Sequence, residues 1–195
     1  MKEQQKKYEL TGEFIEHWSG KKLYRIRALV SFGVVVTGQL GGFVESEKNL
    51  DQSLSGNAWV YGDARVYGDA RVYGDARVYG DARVYGNAEV YGNAEVYGDA
   101  RVYGNARVSG DARVRSYAVI YERKMIFWAS NVGSENGTLT VFNGKDGLIV
   151  TRGCFTGAVD EFLAKSAEVH DDKTKNEYKL LIEVAKSRIL GVKDE

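Results

Sequence analysis

Cys154 stands two residues after Arg152 in the run Arg152-Gly153-Cys154-Phe155-Thr156-Gly157, and it is the only thiol in the chain. A guanidinium nearby favours the thiolate, so this pair has the makings of a nucleophile. Activation needs a base as well, and the sequence places neither of the two histidines, His17 and His170, to act as one. The expectation for Cys154 is a buried structural residue, since unpaired cysteine is among the most buried residue types. His170, beside Asp171 and Asp172, reads as solvated in a polar turn, and His17, beside Trp18, as a surface or cap residue.

A second constellation is the run Asn131-Val132-Gly133-Ser134-Glu135-Asn136-Gly137-Thr138, whose backbone N–H groups could cradle a ligand. It is not a phosphate-binding P-loop, because no Lys-Ser or Lys-Thr follows a glycine there. Residues 128–154 are the least repetitive part of the chain and mix Arg, Asn, Thr and aromatic side chains. The candidate ligand-binding residues are therefore Trp128, Asn131, Ser134, Asn136, Thr138, Arg152 and Cys154. No set of residues reads as catalytic. Two histidines and one cysteine cannot supply a zinc set, so neither a metal nor a cofactor is expected.

These residues sit in a chain of 195 with 27 basic and 27 acidic residues. A formal charge of zero argues against binding a nucleic-acid polymer or a membrane surface through net charge. A single cysteine allows no intrachain disulfide and fits a reducing compartment. The charged start leads into no apolar segment, and no apolar stretch is long enough to span a bilayer, so a cytoplasmic protein is expected. There the sequon Asn136-Gly137-Thr138 would go unused.

The element that must position any site is a repeat. From Gly56 the unit G-[D/N]-A-[R/E]-V-Y recurs ten times, with Trp59 replacing the charge in the first unit and Ser109 and Arg115 replacing Tyr in the last two. A degraded unit, Ser116-Tyr117-Ala118-Val119-Ile120-Tyr121, follows. A period of six smears valines around a helix, and a glycine in each unit makes a helix costly. Alternation instead suits a short strand closed by a turn, with Ala64 and Val66 inward and Asp63, Arg65 and Tyr67 outward. The chain then winds as a β-solenoid whose coils pair in parallel. Three units per coil place Arg71, Glu89 and Arg107 in one column and Trp59, Arg77, Glu95 and Arg113 in another, which alternates charge slightly better than two units do. The all-Arg column of Arg65, Arg83 and Arg101 is eased by Asp63, Asp81 and Asp99. Such columns read as solvated pairing, and the tyrosine rows as rings that cover neighbouring strands, with subunit packing or stacking on a ligand as alternatives.

The register V-Y-G-[D/N]-A-[R/E] over residues 54–120 resembles the hexapeptide-repeat, left-handed β-helix proteins, and the left hand is implied by that resemblance alone. Many of those proteins are trimeric acyltransferases with a catalytic histidine and loops between coils, and others are zinc carbonic anhydrases. Neither activity carries over, because both histidines lie outside the repeat and no loop interrupts it. The flanks Leu23-Tyr24-Arg25-Ile26-Arg27-Ala28 and Gly41-Gly42-Phe43-Val44-Glu45-Ser46-Glu47-Lys48-Asn49-Leu50 look like the lead-in of small phage and prophage members. The tail run Gly133-Ser134-Glu135-Asn136-Gly137-Thr138-Leu139-Thr140-Val141 and the run from Arg152 to Gly157 are similar to their tail.

The expected architecture is mainly β, a triangular left-handed parallel β-helix. Residues 1–53 form an N-terminal β cap and an irregular first coil, 54–121 the repeat, and 122–195 a C-terminal α+β domain. Strands are expected over 8–18 and 22–29 in the cap and over 125–129, 138–142 and 148–151 after the repeat. The last two are joined as a hairpin through residues 143–147. A short helix begins near Thr156 or Asp160, and a second presents Tyr178, Leu181, Ile182, Ala185 and Ile189 on one face. The functional expectation is a non-enzymatic phage accessory protein that acts by binding, as a trimeric or dimeric homo-oligomer in the host cytoplasm. Counter-defence would be its role, by inhibiting a host protein or sequestering a small signalling nucleotide. The alternatives are a transferase-like enzyme using the C-terminal domain and a purely structural or virion component.

Overall fold

Two apolar residues per unit, one small and one branched, define an interior only wide enough for methyl-sized groups. In the computed structural model, which describes residues 5–191, every alanine from Ala58 to Ala118 and every valine from Val60 to Val114 in the repeat is fully buried. The chain opens with β1 (Tyr8–Glu16), β2 (Lys22–Ala28) and β3 (Leu40–Val44). Eleven two-residue rungs follow, β4 to β14: Trp59–Val60, Arg65–Val66, Arg71–Val72, Arg77–Val78, Arg83–Val84, Glu89–Val90, Glu95–Val96, Arg101–Val102, Arg107–Val108, Arg113–Val114 and Val119–Ile120.

Rungs 18 residues apart pair in parallel, as Arg65 with Arg83 and Arg83 with Arg101, so three units make one coil. The coils stack as three flat faces: β5-β8-β11-β14, β4-β7-β10-β13 and β6-β9-β12. The first coil is irregular where the sequence breaks phase. Val44 pairs with Val66, and Leu50 with Val72, across an offset of 22 instead of 18. At the corners the chain takes a left-handed turn at glycine, and neighbouring coils nearly touch. Gly86 has φ +69°, and a Cβ there would meet the Gly104 nitrogen at 3.0 Å, so a side chain is opposed by both backbone strain and lack of space.

A stack of coils leaves unpaired backbone at each end. Inside the stack the Gly74 and Ala76 carbonyls accept from the N–H groups of Ala58 and Trp59 at 2.8 and 3.0 Å. In the first coil the equivalent carbonyls of Gly56 and Ala58 accept instead from Lys7 Nζ, at 3.2 and 3.3 Å. At the next corner Arg25 Nη1 donates to the Gly62 carbonyl at 3.4 Å. At the third, buried Asn49 donates through Nδ2 to the carbonyls of Gly68 and Ala70, at 3.0 and 2.9 Å. Three side chains thus stand in for a missing coil. Burial pushes the Lys7 ammonium below its ordinary pKa, against the attraction of Asp51 and Asp75.

Trp59 occupies an outward charge position, yet it is fully buried. Tyr8 and Phe32 of the cap pack on it edge-on, with ring centroids at 6.0 and 5.4 Å. Elsewhere the outward tyrosines stack on one another. Tyr67, Tyr85 and Tyr103 form a column with centroid spacings of 5.0 and 4.8 Å and nearly parallel planes, and His17 extends it from the cap at 4.8 Å. Tyr73 stacks on Tyr91, and Tyr79 on Tyr97. These ring faces are taken by neighbouring rings, so no flat ligand stacks between them. His17, half-buried here, is part of an aromatic column as well as of the cap.

Beyond the repeat come β15 (Ile126–Val132), β16 (Gly137–Gly144), β17 (Gly147–Arg152) and β18 (Phe155–Ala158), an antiparallel sheet in that order. The expected hairpin closes at Gly144 and Gly147. The fourth strand was not expected, and it places Thr156 inside the sheet. The first helix, α1 (Val159–Val169), starts after it. The second, α2 (Asp172–Leu190), is capped by Asp171, which accepts from the Thr174 N–H at 2.9 Å. The sheet is covered on both faces, as period-two alternation requires. Ile126, Phe142 and Ile149 plug the last coil. Leu139, Val141 and Val150 pack with Phe162, Tyr178, Ile182, Ala185 and Ile189 of the helices.

Two predictions follow from the end caps and the tyrosine columns. Asn49→Ala, which strands two buried carbonyls, costs about 1–3 kcal/mol in denaturant unfolding, while Asn87→Ala at an exposed corner stays within about 0.5 kcal/mol. Burial, first among the causes, holds the phenols of Tyr61, Tyr67, Tyr73, Tyr79 and Tyr85 above their ordinary pKa of 10.0. A raised folded pKa contributes stability that is complete below the unfolded value and is lost as pH rises through the folded one. The melting temperature is therefore expected to fall once pH exceeds about 10. Tyr67→Phe/Tyr85→Phe makes that fall shallower, as followed by circular dichroism alongside a near-ultraviolet phenolate titration.

Candidate functional site

Periodicity gives each face of the solenoid the same outward positions in every coil, and the C-terminal sheet interrupts one of them. On the β4-β7-β10-β13 face the floor is the column Arg77, Glu95, Arg113, with Asp75, Asn93 and Asp111 along the adjoining corner. The sheet is tied to this face at its last rung. The Arg113 N–H donates to Thr140 Oγ1 at 3.1 Å, and Thr151 Oγ1 donates to the Arg113 carbonyl at 2.8 Å. Ser130 Oγ donates to Asp111 Oδ2 at 3.3 Å. The overhang brings Gly137, Thr138, Arg152 and Gly153 over the floor and encloses a groove of about 480 Å³.

Most of the acidic groups in the groove already have donors. Asn57 Nδ2 donates to Asp75 at 2.7 Å, Asn93 Nδ2 donates to Asp111 at 2.9 Å, and Glu95 lies 3.9 Å from Arg113. Glu95 also accepts from the Tyr79 hydroxyl at 3.3 Å, and its charge adds to the burial that raises that phenol's pKa. Arg77 forms no salt bridge among the described residues. Arg152 forms the wall. Its Nε donates to Tyr178 Oη at 3.0 Å and its Nη2 to the Val132 carbonyl at 3.3 Å, while Glu135 lies 3.9 Å away. With its side chain only 12% exposed, Arg152 is held in place and still has N–H groups to offer a ligand.

The residues expected from sequence divide among several places. Thr138 and Arg152 line the groove. Ser134, Arg152 and Cys154 line a second, smaller cavity on the helix side. Asn131 and Asn136, together with Ser134, line a hollow against the start of α2. Trp128 does not join them: its indole nitrogen lies against Gly110 at the end of the solenoid. The 131–138 run is shaped by packing. The Gly133 N–H donates to Glu177 Oε2 at 2.9 Å. A Cβ on Gly133 would collide with the Tyr178 hydroxyl, and one on Gly137 with the Arg152 guanidinium.

Cys154 corrects the expectation of burial. It is exposed because it lies in the tight turn between Arg152 and Phe155, which pair across β17 and β18, and a two-residue turn has no interior to hide a side chain in. Its carbonyl accepts from Arg115 Nη2 at 3.0 Å. His170 is half-buried where a solvated residue was expected, its ring 5.5 Å from that of Tyr178. Arg77 and Arg113 line the groove although the sequence assigned them only a place in a solvated charge column, and Asn93 and Asp111 join them from a corner that the sequence did not single out. The available signal was that the Trp59, Arg77, Glu95, Arg113 column ends where the irregular tail begins.

No group of three or more His, Cys, Asp or Glu is placed to hold a metal ion among the described residues. No helix among them is long and apolar enough to cross a membrane. Residues 58–74, 64–80, 70–86, 76–92, 94–108 and 100–117 each match the family model described as YdcK Beta solenoid repeat. No curated protein matches the chain. Over its stacked coils, this chain is similar to the repeats of β-solenoid proteins.

Proposed function

We propose that the chain acts by binding, and that the groove over the β4-β7-β10-β13 face seats a small phosphorylated ligand, a signalling nucleotide. The observation that carries this reading is the meeting of Arg77, Arg113 and Arg152 in one groove whose carboxylates are largely engaged by Asn57, Asn93 and Arg113. Guanidinium groups match phosphate oxygens in geometry and charge. Gly153 leaves room for close approach, and Thr138 and the corner Asp and Asn side chains offer hydrogen bonds to sugar or base. The volume of about 480 Å³ lies within the usual range for such sites.

The six-residue unit and the triangular coil support kinship with the hexapeptide-repeat left-handed β-helices, and the flanks support a phage origin. On that reading the protein works as a homo-oligomer in the host cytoplasm and serves counter-defence by withholding the nucleotide from a host sensor. A protein partner is the second reading, favoured by Trp18. It is 91% exposed at the tip of the β1–β2 hairpin, as suits an aromatic anchor.

Isothermal titration with a panel of linear and cyclic di- and trinucleotides tests the groove. The expected result is saturable binding to the wild-type chain, weakened at least about tenfold by Arg77→Ala, a loss of about 1.4 kcal/mol. Absence of heat from every nucleotide in the panel, with none retained in native mass spectrometry of protein from cells, rejects the nucleotide. Capture of a host protein that Trp18→Ala abolishes would then favour the second reading.

A further inference from the structure

We infer that the smaller cavity, between the β17–β18 turn and the junction of α1 and α2, is a separate binding site for a small aromatic carboxylate. Ser166 is the first reason. It is 4% exposed and lines this cavity, and its hydroxyl has no hydrogen-bond partner. A buried hydroxyl is costly to leave unpaired, and a helical serine ordinarily returns its proton to a carbonyl of the preceding turn. As it stands the oxygen has almost no accessible surface, and a turn of χ1 toward the cavity would let a ligand oxygen complete it.

The walls say what else the ligand must be. Phe155, Phe162 and Tyr178 form a cluster of rings with centroid spacings of 5.4 and 5.1 Å, tilted at 60° and 72°. That arrangement presents both ring edges and ring faces to a third aromatic group. Two cations, Arg152 and Lys165, line the same cavity. Arg152 has N–H groups beyond those given to Tyr178 and Val132. Lys165 has only an exposed partner, Glu168 at 3.6 Å, and such surface pairs hold weakly. Glu135, the acidic residue of the lining, is itself largely exposed and paired at 3.9 Å with Arg152. Aromatic rings, two cations and an unpaired hydroxyl around one small cavity suit an arylacetate or benzoate. The volume of about 220 Å³ admits one ring and its acid but not a nucleotide, so the site differs from the groove although Arg152 and Gly153 border both.

The test is a titration of the 15N-labelled full chain with phenylacetate, followed by amide chemical shifts, with benzylamine and phenylacetamide as controls. Saturable shifts are expected at residues 153–155 and 162–170. The affinity should fall at least about tenfold for Lys165→Gln and for phenylacetamide, and measurably for Ser166→Ala, which removes only the hydroxyl. Three results would each overturn the proposal: no saturable shift at about 10 mM phenylacetate, equal shifts from benzylamine, or unchanged affinity in Ser166→Ala. Shifts confined to Arg77 and Arg113 would overturn it too, and would leave the groove reading untouched.

Discussion

Coil-on-coil stacking at the glycine corners is the constraint on which this molecule depends. The corner of one coil passes so close to the next that a Cβ on Gly86 would press on backbone, and the same residue holds a left-handed φ. Once the corners are fixed in this way, each flat face between them holds only a two-residue rung. The rungs are then in register every 18 residues, and the interior of the regular coils takes one alanine and one valine from each unit. Hydrophobic burial fills the column, but the corners set its dimensions. The tyrosine stacks, the paired corner Asn and Asp side chains, and the Glu89–Arg107 and Glu95–Arg113 pairs follow from the same register. Identical outward positions are brought one rung spacing apart, about 4.8 Å.

A structure stabilised by repetition is weakest where repetition stops. At the first coil the bonds that a preceding coil would supply come from Lys7, Arg25 and Asn49, whose donors reach carbonyls at three successive corners. At the last coil the replacements are the hydroxyls of Thr140 and Thr151 together with Asn143, which donates to the Val119 carbonyl at 3.0 Å. Apolar closure differs as well. Tyr8 and Phe32 cover the side of the first coil through Trp59, whereas Ile126 and Phe142 plug the core of the last. On the third face the last rung, β12, has no strand paired on its outer side among the described residues.

Period six, with its inward Ala and Val, was legible because each unit repeats the same local evidence, whereas three units per coil rested on a slight preference in the charge columns and not on spacing. The second helical face was legible for a similar reason, since Tyr178, Ile182, Ala185 and Ile189 keep one stripe. What could not be read depends on residues distant in sequence. Trp59 is buried because Tyr8 and Phe32 happen to lie over it, and nothing near Trp59 says so. Cys154 is exposed because β18 follows it immediately, and the four residues of that strand carry no strong alternation. Arg152 was noticed for its nearness to Cys154, but its position is set by Tyr178, 26 residues on. Thr138 and Arg152 reached the groove, whereas Asn131 and Asn136 turned toward α2 because both take left-handed φ values, 60° and 49°.

A periodic face offers outward positions of the same geometry at every coil, and even where their side chains differ, as Arg77, Glu95 and Arg113 do, it has no wall to enclose a ligand. Selectivity arises where an aperiodic element crosses it. The C-terminal sheet is held to the last coil of the solenoid, by two threonines on Arg113 and by Asn143 on Val119, and it overlooks the stretch of column formed by Arg77, Glu95 and Arg113. That stretch alone has a wall, and the wall's charged residue is fixed from behind by Tyr178 and Val132. The regular coils therefore provide rigidity and a graded set of positions, and the irregular sheet selects one of them. On the proposed reading, changes in the tail would alter what is bound without disturbing the stack, because the two share few bonds beyond the last coil.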